Sequence, residues 1–111
     1  MGSLTQEQAV ALPARNHRIS LVEAAAHTRR HREAKVHEVK AGAFHKDQVL
    51  ELLNQAGCVG LRVHLGRNPD GSPTVVLTGI DATDSDLVKG SILEQWFPCP
   101  PICGAANALQ G

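Results

Sequence analysis

The clearest pattern of apolar and polar positions runs from Val59 to Leu65, where Val59, Leu61, Val63 and Leu65 alternate with Gly60, Arg62 and His64. A period of two sets the four aliphatic residues on one face of a strand and the other three on the opposite face. Arg67-Asn68-Pro69-Asp70-Gly71-Ser72 is dense in turn residues, so residues 73–80 read as the returning strand of a hairpin. Asp81-Ala82-Thr83-Asp84-Ser85-Asp86 marks a second turn, and a third strand would hold Ile92, Leu93, Trp96 and Phe97. A two-stranded hairpin is marginal alone, so that strand or a packed helix is expected to complete it.

Upstream the period changes. Ser20-Leu21-Val22-Glu23 is a capping box followed by strong helix formers, which predicts a helix over 21–33. Its apolar face is thin (Leu21, Val22, Ala24, Ala25, Thr28), and residues 27–33 are almost wholly polar. Such a helix lies on a surface or reaches towards a partner. A second helix is predicted over 45–55. There Val49, Leu52, Leu53 and Ala56 follow helical spacing, and Gly57 occupies the C-cap position. Residues 34–44 read as an irregular or short extended connection. Thr5 and Gln8 predict a short helix over about 6–12, ended by Pro13. Pro98-Cys99-Pro100-Pro101-Ile102-Cys103-Gly104 predicts no regular element, because proline removes donors and fixes φ. The expected organisation is an N-terminal arm over 1–19, an α+β domain over 20–97 and a Pro/Cys/Gly-rich tail over 98–111. Two or three helices would pack on a small, mainly antiparallel sheet built around the hairpin.

The run Phe44-x4-Val49-Leu50-x-Leu52-Leu53-Asn54-Gln55-x2-Cys58-x-Gly60-Leu61-Arg62-x3-Gly66, with Val76-Leu77-Thr78-Gly79-Ile80-Asp81-Ala82 and the Cys-Pro-Pro-x-Cys tail, resembles an uncharacterised family of small bacterial proteins. The resemblance covers roughly residues 19–104. It implies no activity. Its first helix has a Thr-x-x-Tyr-Arg pattern, so His31 of Thr28-Arg29-Arg30-His31-Arg32 stands where the family has an aromatic residue.

Composition narrows the function classes. A chain of 111 residues suits one domain, and no apolar run approaches the ~18 residues of a membrane span. The polar N-terminus lacks a signal-peptide layout, so a cytoplasmic protein is expected. Lys+Arg and Asp+Glu balance at 11 each. Nucleic-acid binding, which draws on a basic excess, is therefore not expected. Aromatic residues make up 3% of the chain, too few for base-stacking platforms. A neutral chain repels its own copies weakly, which favours self-association.

The candidate chemistry is sparse. Cys99 and Cys103 have the spacing of a zinc or iron thiolate pair, and His27 and His31, at i and i+4 on one helical face, would supply the other two ligands. The competing reading keeps the cysteines reduced and lets the prolines pin the tail. A Cys99–Cys103 disulfide is a third reading. His27, His31, His37 and His45 form a sequence cluster that also reads as a solvated helix face and loop. Arg29, Arg30 and Arg32 would suit an acidic partner, though Glu23 and Glu33 flank them. Asp81, Asp84 and Asp86 lack the calcium-loop layout and fit turn chemistry. Nucleophile elbows, phosphate loops and zinc-protease motifs are missing, so an enzyme is not favoured. The leading expectation is a non-catalytic protein-interaction or self-assembly module without a cofactor, its partner another protein or a second copy. Arg29, Arg30, Arg32, Trp96 and Phe97 are its interface candidates. The alternative is a small zinc- or iron-binding or redox-responsive protein using the tail cysteines.

Overall fold

A computed structural model describes residues 12–34 and 39–110. The chain is α+β. In order, the elements are α1 (Leu21–Glu33), β1 (Ala41–Ala43), α2 (Lys46–Leu53), β2 (Gly60–Arg67), β3 (Pro73–Ile80), β4 (Ile92–Leu93) and β5 (Phe97–Cys99). They fall into two compact units. One contains Phe44–Trp96 with residues 12–14, and the other contains residues 15–43 and the chain from Phe97 onward. The span 20–97 thus contributes to both units. The helix expected over 6–12 lies, but for residue 12, outside the described residues, as does His37.

In the first unit β2, β3 and β4 form an antiparallel sheet in that order. The hairpin register runs from Gly60 opposite Ile80 to Arg67 opposite Pro73. Leu77 and Thr78 then pair with Leu93 and Ile92. The connection between β2 and β3 is closed by Asn68, whose N–H donates to Ser72 O at 2.8 Å, and by Gly71 in the left-handed region at φ 89°. The expected third strand is shorter than its apolar residues suggested. Trp96 lies outside any strand and packs on Phe44 at 6.5 Å between ring centroids, while Phe97 belongs to β5 in the other unit.

Helix α2 starts at His45, whose imidazole Nδ1 accepts from the Asp47 N–H at 3.2 Å. It buries Leu52 completely and packs over β3 and β4. Gln55, just beyond it, ties the helix end to the loop before β4. Its amide donates to Leu52 O at 2.8 Å and accepts from the Ser91 N–H at 2.8 Å. Glycine is required beside it, because a Cβ at Gly90 would overlap the Gln55 amide oxygen. The core of this unit is Leu52, Leu77 and Ile80.

The second unit holds α1 and a two-stranded sheet in which Ala41–Ala43 pair antiparallel with Phe97–Cys99. The proline-rich tail therefore begins as a strand, against expectation. The ladder is short, and Pro98 is tolerated in a strand at a sheet edge. Helix α1 has the expected bounds and a complete capping box: the Glu23 N–H donates to Ser20 Oγ at 3.0 Å, and the Ser20 N–H donates to Glu23 Oε1 at 3.1 Å. Ala24, Ala25, Thr28 and Arg32 form its half-buried side, whereas Leu21 and Val22 are exposed. Among the described residues of this unit only Cys99 is buried.

Leu52→Ala is expected to lower unfolding stability by about 2–5 kcal/mol, since it opens a cavity in a core of few side chains. Denaturant unfolding with an unchanged m-value measures it. The capping box gives α1 a pH signature. Hydrogen bonds from the Ser20 N–H and then the Ser20 hydroxyl hold the Glu23 carboxyl below its ordinary value of 4.5. A folded value below the unfolded one means that the contribution is complete above the unfolded value. It is lost as pH falls through the depressed one. Helical circular dichroism should therefore decline in that acid window, and Ser20→Ala should flatten the decline.

Candidate functional site

Alternation along β2 is as the sequence predicts, and its apolar residues share a face with Gly79 and buried Leu77, yet on β2 itself they stand in solvent. Val59, Leu61, Val63 and Leu65 are 55%, 38%, 52% and 89% exposed, while Gly60, Arg62, His64 and Gly66 are half-buried. An antiparallel strand ordinarily turns its apolar side inward, and here the helix on that side packs over β3 and β4. The other face of β2 is held by polar contacts. The Arg62 guanidinium donates to Asp86 Oδ1 at 2.8 Å, to Asp84 Oδ1, and to the Asp84 carbonyl at 3.3 Å. The hydrogen bond to Asp86 first, then that to Asp84, raises the Arg62 pKa above its ordinary value. His64 Nε2 lies 3.3 Å from Asp86 Oδ2, and buried Thr78 donates to Asp86 Oδ1 at 3.2 Å. Polar groups half-removed from water need such partners.

Asp81 organises the loop that carries these carboxylates. Its Oδ1 accepts from the N–H groups of Thr83 and Ser85 at 2.9 and 3.0 Å, and Asp84 takes a left-handed φ of 64°. Aspartate tolerates that conformation better than most residues. Asp81, Asp84 and Asp86 are therefore occupied by turn and ion-pair contacts, and no group of three metal-ligating side chains occurs among the described residues.

Thr78, His64 and Asp86 bring together the residue types of a nucleophilic relay, but in the wrong arrangement. A relay uses the two imidazole nitrogens for different partners. Here Thr78 Oγ1 and Asp86 Oδ2 both approach Nε2, each at 3.3 Å, and Thr78 itself is buried. The cluster is built to hold the 81–86 loop against β2.

Strand β2 is also an edge. Its inner side pairs with β3 over all eight residues, and no strand lies on its outer side among the described residues. Helix α2 packs over β3 and β4. The segment after it occupies the Leu61 face at Gly79, where an added Cβ would stand 2.9 Å from Cys58 Sγ and Gln55 Nε2. Cover on that face thus reaches β3 while the β2 side chains stay in solvent.

No family model, curated protein or solved structure matches this chain.

The expected site residues lie elsewhere. Cys99 and Cys103 are joined by a disulfide, so in this state neither sulfur is a thiolate able to hold zinc or iron. Cys58 is free and half-buried, with Sγ 3.1 Å from Gly60 O. Arg29 and Arg30 are exposed on α1, and Phe97 is exposed on β5. His27, His31 and Arg32 line a cavity of about 440 Å³ in the second unit, together with Lys40, Ala41 and Leu109. Sequence reasoning singled out neither the outward stripe of β2 nor Lys40. The alternation was a signal for the stripe, but its exposure follows from α2 packing over β3 and β4, which no local pattern shows. Among the described residues, no helix is long and apolar enough to cross a membrane.

Asp86→Asn should lower stability by about 1–3 kcal/mol, because it weakens bonds to Arg62, His64 and Thr78 together. Thermal unfolding checks this, and a change below a few tenths of a kcal/mol would show that the cluster is not what holds the loop.

Proposed function

We propose that this chain is a non-catalytic self-assembly module in which two copies pair antiparallel through the outer edge of β2. The observation that carries this reading is the coincidence of an eight-residue edge, unpaired among the described residues, with an exposed apolar stripe on the same strand. Protected edges are short or carry lysine or proline. The opposite edge, β4, has two residues. Strand β2 has neither lysine nor proline, and its inward charge, Arg62, is already neutralised by Asp84 and Asp86.

The second copy is favoured over a foreign partner by the strand's own sequence. Gly60-Leu61-Arg62-Val63-His64-Leu65-Gly66 reads the same, by residue class, in both directions about Val63. An antiparallel pairing centred there sets glycine opposite glycine, Leu61 opposite Leu65 of the second copy, Arg62 opposite His64, and Val63 opposite itself. A two-fold interface needs this self-complementarity. Alternate residues of an edge strand direct both N–H and C=O outward, and in this register either alternate set pairs with itself. Apolar cross-strand pairs then contribute on the solvent face, each by roughly 0.2–1 kcal/mol. Zero net charge leaves little general repulsion to overcome.

We place the protein in the cytoplasm, where the Cys99–Cys103 bridge is subject to reduction. Neither cysteine belongs to β2, so assembly should be the same in both redox states. A zinc or iron site at Cys99 and Cys103 would be confined to the reduced chain.

Sedimentation equilibrium is expected to show a concentration-dependent dimer. Val63→Glu should shift it to monomer, since it sets two carboxylates side by side at the two-fold, and circular dichroism should be unchanged because the site is exposed in the single copy. Val88→Glu, at an exposed position away from β2, should leave the dimer intact. A strict monomer at high concentration, or a dimer indifferent to Val63→Glu, would overturn the proposal.

A further inference from the structure

The cavity in the second unit is lined by two cations, Arg32 and Lys40, and by two histidines. Helix α1 contributes His27, His31 and Arg32, and Lys40 stands at the start of β1. Among the described residues no aspartate or glutamate lines it. This is unusual in a chain whose acids and bases balance, and it contrasts with Arg62, which has two carboxylates. Among the described residues Arg32 and Lys40 have only main-chain acceptors. Arg32 Nη1 donates to Leu109 O at 2.7 Å, and Lys40 Nζ donates to Gln110 O at 3.1 Å. A carbonyl satisfies one donor and cancels no charge. Each side chain retains further N–H donors and its full positive charge.

The surroundings hold these groups in place. The Lys40 N–H donates to Cys99 O at 2.8 Å, which extends the β1–β5 ladder. Gln110 is fixed from the other side, with its amide donating to Cys103 O at 2.5 Å. Asn107 Oδ1 accepts the Leu109 N–H at 2.8 Å and shapes the turn that presents Leu109. Arg30 donates to His27 Nδ1 at 2.8 Å, so the neutral His27 ring carries its proton on Nε2 and offers a donor, not a metal-binding lone pair. Ala41 and Leu109 supply an apolar wall. A volume of about 440 Å³ matches small-molecule sites, which are mainly apolar with a few convergent polar groups.

From this geometry we infer that the cavity binds a small organic anion. The ligand has a carboxylate or phosphate headgroup held by Arg32 and Lys40, and a short apolar body against Ala41 and Leu109. The inference concerns a different unit from the β2 interface and does not rest on it.

The test is a titration of the full chain with three probes, followed by amide and histidine NMR shifts. Inorganic phosphate supplies the oxyanion alone, hexanoate supplies an oxyanion with an apolar body, and hexylammonium supplies the same body with the opposite charge. Saturable shifts at His27, His31, Arg32 and Lys40 are expected with an anion and not with hexylammonium. Tighter binding of phosphate than of hexanoate would assign a phosphate headgroup, and the reverse a carboxylate. The double variant Arg32→Gln/Lys40→Gln should weaken the anion at least ~10-fold, whereas Lys46→Gln on α2 should not. Absence of saturable shifts with both anions in the unaltered protein, or equal shifts with hexylammonium, would overturn the inference whether or not the double variant folds.

Discussion

A strand with a side-chain period of two has only two ways to face a sheet, and a slip of one residue exchanges them completely. In β2 polar and apolar groups make the same choice. Arg62 and His64 sit on one face, where Asp84, Asp86 and Thr78 meet them. A slip of one residue would take the guanidinium to the other face and strip Asp86 of both basic partners. Leaving one member of such a set half-buried and unpaired costs about 1–3 kcal/mol or more. Hydrophobic burial acts in the same direction, because Leu61 and Val63 share the face of Gly79 and buried Leu77. It is worth roughly 1.5–3 kcal/mol for each large aliphatic side chain fully covered. In the single copy α2 covers β3 and β4, so the β2 side chains gain only part of that. The apolar stripe is the part of this face that the helix leaves uncovered.

Much of the architecture was legible in local sequence, because local rules decided it. Ser20 and Glu23 marked the start of α1, and Asn68-Pro69-Asp70-Gly71 marked the hairpin turn between two alternating runs. The misses share a cause. Ala41-Gly42-Ala43 carries no apolar period, and its partner Phe97-Pro98-Cys99 contains a proline, so neither announced this pairing, and Phe97 was expected in the hairpin's sheet. What makes them strands is each other, at long separation. Arg62 and its carboxylates lie 22 and 24 residues apart, and the cavity depends on bonds spanning 77 and 70. Composition gave zero net charge, but it could not show that the charges separate in space. Acids gather around Arg62, while the titratable groups that line the second unit's cavity are, among the described residues, all bases.

Both units have little core. The first buries three large aliphatic side chains and the second only Cys99 among described residues. In domains this small the fraction of surface buried on folding is low, so specific polar contacts carry more of the structure than they do in larger ones. Different contacts fill that role in each unit. Ion pairs and an Asx-type turn organise the first. In the second, a disulfide and side-chain bonds to main-chain carbonyls draw the C-terminal segment towards α1.

An exposed leucine alone calls for no explanation, since much of any folded surface is apolar. Three further facts separate β2 from that background. Its exposed residues are contiguous along one strand and not scattered. Among the described residues that strand is an open edge, whereas β1, β4 and β5 are too short to offer a comparable template. Its sequence is also symmetric about Val63, a property with no bearing on how one copy folds, because folding against β3 uses each residue once. In an antiparallel pair of identical strands every position is used against its mirror image, and there the symmetry has a physical effect. It matches residue class at every position along Gly60–Gly66 in a single register, and a shift to neighbouring registers sets glycine against leucine or a basic residue.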